Sequence, residues 1–247
     1  VTDALGWRRK LAVLVPSTNT SVQPEFDAMR PEGVTNHLSR IRIPNMPLAS
    51  DADFRLLVER IAAAQQDAVD SVMTCEPDHL VLGISVETFW GGLEASRALM
   101  AGLAAHTKLG VTGGADACAA AFDALGVRRI AVLTPYHPVG DQNVRRFFEE
   151  SGYEVRRVHG LKCASPVLIA HVGESQLRAA AEALDGDDVD AVIQVGTNLA
   201  MAKLAARMEA ERGKPILAIN ACIYWRALRA CGIADRVAGW GRLLERH

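Results

Sequence analysis

Asp190-Ala-Val-Ile-Gln-Val-Gly-Thr-Asn-Leu-Ala-Met201 decides how this chain is read. Residues 190–195 are rich in β-branched types and too few for an ordinary helix, so they read as a buried strand. Gly196 and the small polar residues after it stop that run before a helical pattern begins. The order is strand, tight turn, helix N-terminus, with Thr197 or Asn198 expected to cap the helix. In an open parallel sheet such a turn lies where ligands bind.

Working outward, the same pattern recurs. Asp78-His-Leu-Val-Leu-Gly83 corresponds to Asp190-Ala-Val-Ile-Gln-Val-Gly196, offset by one residue. Arg8-Arg9-Lys-Leu-Ala-Val-Leu-Val-Pro16 is echoed by Arg128-Arg129-Ile-Ala-Val-Leu-Thr-Pro135, again with one extra residue in one copy. Between these anchors strands alternate with helices. Strands are expected at 11–15, 36–43, 78–82 and 108–111, then at 128–135, 153–158, 191–195 and 215–219. Phe54, Leu57, Val58, Ile61, Ala68, Val69 and Val72 share one face of a helix that Ser50 or Asp51 can cap, and that face is expected to pack on a sheet. Alternation of this kind implies parallel strands joined by helical crossovers, hence an α/β fold. The repeat predicts two pseudo-symmetric, flavodoxin-like halves with four parallel strands each, 1–113 and 114–219. Residues 220–247 form a helix and tail expected to pack back on the first half.

Composition narrows the function classes. At 247 residues and 49% apolar content the chain can bury real cores. No apolar run approaches the roughly 20 residues of a membrane span, and the N-terminus does not read as a signal peptide. A net charge of −2 with interspersed signs argues against a nucleic-acid partner. Five cysteines, at 75, 118, 163, 222 and 231, are odd in number and show no CxxC spacing, against a disulfide framework or zinc site. The expected setting is cytoplasmic, without metal or membrane, with a small molecule as partner; self-association into a homo-oligomer is left open. Neither G-x-G-x-x-G nor G-x-x-x-x-G-K-[ST] occurs, which disfavours a nucleotide-binding protein.

If the two glycine turns face each other across a cleft, four strand ends line it. They supply Ser17, Thr18 and Asn19; Gly83, Ser85 and Glu87; Thr134 to His137, including Tyr136; and Gly196, Thr197 and Asn198. These are mostly uncharged donors, and helix N-termini beside them favour anions, which suits a small carboxylate.

Pro16-Ser17-Thr18-Asn19-Thr20, Thr134-Pro135-Tyr136, Gly196-Thr197-Asn198-Leu199, Gly213-Lys214-Pro215 and Asn220-Ala221-Cys222-Ile223-Tyr224-Trp225 resemble the maleate cis–trans isomerase and arylmalonate decarboxylase branch of the aspartate/glutamate racemase superfamily. The similarity runs through nearly the whole chain in order. It implies two pseudo-symmetric α/β domains, a substrate between them, no cofactor, and carboxylate binding by Asn19 and Tyr136. It also implies a cysteine in one or both glycine turns, yet the aligned positions are Gly83 and Gly196. Thiol addition or thiol-mediated proton shuttling therefore lacks its nucleophile. Cys222, at the start of a helix, is the one cysteine placed to edge the cleft.

Other groups can act. Glu87 is the one carboxylate near either turn, suited to acid–base work if burial raises its pKa, or else simply a favourable charge at a helix start. Tyr136 can bind or donate a proton. Gly83-Ile84-Ser85-Val86-Glu87 partly resembles a nucleophile elbow, with His137 as the available base for Ser85. Trp90, Trp225 and Phe89 either wall the pocket or belong to the core. The leading expectation is a cofactor-independent enzyme using a cysteine-free lyase, isomerase or hydrolase step on a small carboxylate or related carbonyl compound. Two alternatives stand beside it: a Ser85 hydrolase, and a non-catalytic carboxylate-binding protein.

Overall fold

A computed structural model describes residues 3–247. Two four-stranded, wholly parallel sheets form the frame. The first contains β1 (Arg9–Pro16), β2 (Val34–Ile41), β3 (His79–Leu82) and β4 (Gly110–Thr112) in the order β2-β1-β3-β4. The second contains β5 (Arg129–Thr134), β6 (Glu154–Gly160), β7 (Ala191–Gln194) and β8 (Ile216–Ala218) in the order β6-β5-β7-β8. The two orders are the same when counted within each half, and both match the doubly wound order in which the first strand sits between the second and third.

The repeated aspartate has a structural reason. Asp78 Oδ2 accepts from the Lys10 N–H at 2.7 Å, and Asp190 Oδ2 accepts from the N–H groups of Arg128 and Arg129 at 3.0 and 2.8 Å. In return the Asp78 and Asp190 N–H groups donate to the carbonyls of Lys10 and Arg129. Each half thus locks the register of its first and third strands with one carboxylate. Those strands are buried on both faces, as their continuous apolar runs require, whereas β2 and β6 at the edges mix buried and exposed residues.

Ten α-helices and one 3-10 turn (Leu168–His171) complete the described residues: α1 (Val22–Met29), α2 (Asp51–Met73), α3 (Val86–Phe89), α4 (Gly92–Thr107), α5 (Gly114–Leu125), α6 (Pro138–Glu150), α7 (Glu174–Leu184), α8 (Ala202–Arg212), α9 (Ile219–Ala230) and α10 (Arg242–Arg246). Ser50 caps α2, its Oγ accepting from the Asp53 N–H at 3.2 Å, and the seven apolar residues read as one face are all buried. α9 follows β8 without a loop and packs on α5, α1 and the strands β3 and β4 of the first sheet. No helix is long and apolar enough to cross a membrane.

One local expectation is corrected. α8 begins at Ala202, and its N-cap residue Met201 offers no side-chain oxygen, so neither Thr197 nor Asn198 caps it. Both side chains instead bond to the other half of the molecule. The Gly83–Gly92 stretch holds the single-turn helix α3.

Candidate active site

The carboxyl ends of both sheets meet, and the 196–201 turn is tied to the loop after β1. Asn19 Nδ2 donates to Thr197 Oγ1 at 3.1 Å, the Thr20 N–H to Asn198 Oδ1 at 2.9 Å, and Ser21 Oγ to the Asn198 carbonyl at 2.9 Å. Asn19 Oδ1 is meanwhile held by the N–H groups of Ser21 and Val22, each at 3.0 Å. This short side chain therefore starts α1 with its oxygen and crosses to the other half with its nitrogen. Asn198 Nδ2 donates to the Pro166 carbonyl at 3.0 Å. Every polar end of the two asparagines is fixed before any ligand arrives.

Ser85 and Tyr136, from opposite halves, share a hydrogen bond of 2.5 Å between Oγ and Oη. Thr197 joins them: its N–H lies 3.4 Å from Ser85 Oγ, and its own hydroxyl donates to the Gly83 carbonyl at 3.2 Å. Tyr136 is aimed from behind. Its N–H donates to Thr134 Oγ1 at 3.0 Å, that hydroxyl donates to Asp141 Oδ1 at 2.5 Å, and the Tyr136 ring packs 5.3 Å from the Phe54 ring. Burial pushes the Tyr136 hydroxyl well above its ordinary pKa, which keeps it a proton donor at neutral pH.

A cavity of about 60 Å³ opens between these groups. Its polar side is Thr18, Asn19, Ser85, Tyr136, Gly196, Thr197 and Asn198; its apolar side includes Ile43, Phe54, Leu57, Ile61, Ile84, Val86 and Ile169. None of the lining residues carries a formal charge or a thiol. Recognition there falls to neutral donors and apolar contact. Among the described residues no group of three or more His, Cys, Asp and Glu side chains is arranged to hold a metal ion.

Five residues expected at the site lie outside this lining, among them Thr134, which stands behind Tyr136. Ser17 is exposed, and its hydroxyl braces the β2–α2 loop through the carbonyl and N–H of Ile43. Gly83 contributes its carbonyl to Thr197, but a Cβ there would sit 2.9 Å from the Leu14 carbonyl and 2.9 Å from Val22 Cγ1, facing the β1–α1 packing. Glu87 is buried in α3 with both carboxylate oxygens unpartnered, and burial raises its pKa to about 8. It stands as a neutral acid at pH 7, off the cavity wall. His137 is the N-cap residue of α6 with its ring 6.4 Å from that of Phe54, and it makes no bond to Ser85, whose hydroxyl is engaged by Tyr136 and Thr197.

Cys222 does not edge the cleft. It is fully buried in α9 beside Cys118 of α5, whose thiol is driven well above the ordinary range by burial and by that neighbour. Phe89 packs against Phe147 and Phe148 in the core, and neither tryptophan lines the cavity. The wall instead comes from Phe54, Leu57 and Ile61, one end of the buried face of α2. Their helical spacing announces burial but not whether sheet or cavity covers them. Glu25, and Asn220, quoted above only as part of a family motif, bond to each other beneath the 196–201 turn and have no role in the sequence reading.

Two parallel four-stranded sheets with a cavity of neutral donors at their facing strand ends define an α/β protein with a built small-molecule pocket. The arylmalonate decarboxylase family profile matches residues 11–244, and the chain belongs to that family. Its relatives include the maleate isomerase of Pseudomonas putida, 25% identical with 96% of this chain and 97% of that one covered. The maleate isomerase of Nocardia farcinica is 26% identical with 96% of each covered. Among solved structures, a Nocardia farcinica maleate cis–trans isomerase with a covalently bound succinylcysteine intermediate superposes with a TM-score of 0.87 at 24% identity, covering 97% of this chain and 99% of that one. A crystal structure of arylmalonate decarboxylase gives 0.74 at 19% identity, covering 95% and 98%. These relationships support an enzyme of isomerase or decarboxylase type.

Proposed function

We propose that this enzyme performs a thiol-independent lyase step on a small carboxylate or related carbonyl compound, with Tyr136 and Ser85 handling the proton. The observation that carries this reading is the Ser85–Tyr136 hydroxyl pair, 2.5 Å apart and placed with Asn19, Thr197 and Asn198 around one cavity. The second N–H of the Asn19 amide and the Thr197 hydroxyl, once it swings from the Gly83 carbonyl, orient the carboxylate that stays. Loss of carbon dioxide from the neighbouring carbon leaves an electron pair there, and the Tyr136 hydroxyl delivers a proton to it. Ser85, bonded to the phenol oxygen, returns the proton from solvent. A positioned acid of this kind contributes roughly 10²–10⁴-fold to rate.

Chemistry favours this step over its competitors. Covalent thiol addition has no nucleophile in the cavity lining. The hydrolase reading needs a base on Ser85, whose hydroxyl partners are a neutral tyrosine and a backbone N–H. The family description, arylmalonate decarboxylase, points the same way. The cavity of about 60 Å³ favours a compact substrate, since an engineered pocket that holds benzene measures roughly 150 Å³.

A thermal-shift screen of small mono- and dicarboxylates, followed by mass detection of products, tests the proposal. Turnover that survives unchanged in Ser85→Ala and Tyr136→Phe alike overturns it. Stabilisation by a ligand that is never converted identifies a binding protein instead.

A further inference from the structure

α8 begins with an N-cap residue, Met201, that has no side-chain acceptor, leaving its first N–H groups to find partners elsewhere. One is met from the opposite half of the molecule. Glu25 of α1 accepts from the Ala202 N–H through Oε1 at 2.9 Å. Its second oxygen accepts from Asn220 Nδ2, the second residue of α9, at 2.6 Å. The same Nδ2 donates to the Thr197 carbonyl at 2.9 Å. A carbonyl can only accept, so this bond fixes which end of the amide faces the turn. Both hydrogens of the Asn220 amide are then spent, and its Oδ1 is buried without a partner.

Such an arrangement is more than a helix cap. A cap requires only the bond to Ala202, whereas here a buried amide gives up its acceptor so that one carboxylate also holds the backbone of Thr197, a residue of the cavity wall. Asn19, Thr20 and Ser21 pull the same turn toward the first half from the cavity side. Glu25 is the ionisable group in this set, and it anchors the turn from beneath.

We infer that Glu25 is a positioning residue: acting through Asn220 and the Ala202 N–H, its carboxylate sets the Thr197 hydroxyl at the height where it meets the substrate carboxylate. The inference rests on the proposed role of Thr197 in binding. Glu25→Gln keeps the size but presents an amide to two donors, so one bond is lost and a donor faces a donor.

Hydrogen–deuterium exchange of the full-length protein without ligand tests the anchor itself. In Glu25→Gln, exchange across residues 196–205 is expected to rise up to about tenfold, the loss of one buried hydrogen bond, while peptides of β5 stay unchanged. Glu25→Asp, one methylene shorter, serves where the glutamine variant does not fold. With a carboxylate that the enzyme converts, KM is expected to rise about tenfold with kcat within about threefold, the pattern of lost uniform binding. Unchanged exchange across 196–205, or equal acceleration in every peptide, overturns the inference and leaves Glu25 a packing residue. If no carboxylate is converted, the proposed function fails while the exchange result still decides the role of Glu25.

Discussion

Restoring a cysteine at Gly196 is expected to damage the fold rather than recover thiol chemistry. The backbone there has φ +109°, a region that side chains with a Cβ rarely occupy, and a Cβ built on it overlaps Cδ of Pro135. Pro135 cannot easily withdraw, because it follows β5 directly and its carbonyl accepts from the Cys163 N–H at 3.0 Å. Unfavourable φ costs about 1–3 kcal/mol, and forced packing costs about 1–3 kcal/mol more. The sum, about 2–6 kcal/mol, is a large part of the roughly 5–15 kcal/mol that holds a protein folded. At roughly 2–4 °C per kcal/mol for a chain of this length, Tm falls by roughly 5–25 °C. Gly196→Ala should lose nearly as much, since the Cβ and not the sulfur is at fault. Differential scanning calorimetry of both variants, with thiol titration of Gly196→Cys, makes the measurement. A Gly196→Cys protein melting within about 2 °C of the parent and carrying a reactive thiol would refute the reasoning.

Further outcomes follow from the same contacts. Tyr136→Phe strands the Ser85 hydroxyl and should cost about 0.5–1.5 kcal/mol in urea unfolding, while turnover falls roughly 10²–10⁴-fold; comparable turnover in the variant contradicts the proton-donor role. Asn19→Asp keeps the oxygen that starts α1 but replaces the donor facing Thr197 with a negative charge, so the variant should fold and lose carboxylate-induced stabilisation in a thermal-shift titration. Glu87 has a folded pKa raised to about 8, so between its unfolded value of 4.5 and about 8 the folded state holds a proton that the unfolded state releases. Stability attributable to this group therefore falls as pH rises through that window, by up to about 1.4 kcal/mol per pH unit. Glu87→Gln should flatten the decline in chemical denaturation between pH 5 and 8, and an identical pH slope in the variant counts against the burial argument. Ser50→Ala removes the α2 cap at a cost of about 0.5–2 kcal/mol, with no effect on ligand binding because the cap lies outside the cavity lining.

The sequence by itself determined the frame. Short apolar runs beginning at Asp78 and Asp190, and the basic residues ahead of β1 and β5, are local signals, because a strand buried on both faces must be apolar throughout and its register needs a fixed start. The family likeness was equally legible, since it lies in short motifs kept in order along the chain. So was the gathering of Asn19, Ser85, Tyr136, Thr197 and Asn198, which all follow strands at the same edge of their sheets. Only the tertiary structure decided which neighbours of those residues face the cavity. Gly83 and Glu87 lie within a few residues of Ser85, yet the α3 turn carries Glu87 into the interior and β1 closes against Gly83. Glu25 and Asn220 stand 195 positions apart and meet only because the two halves close on each other. The 196–201 turn was visible as a strand stop, but most of what holds it comes from the other half, through pairings across the chain that no local pattern encodes.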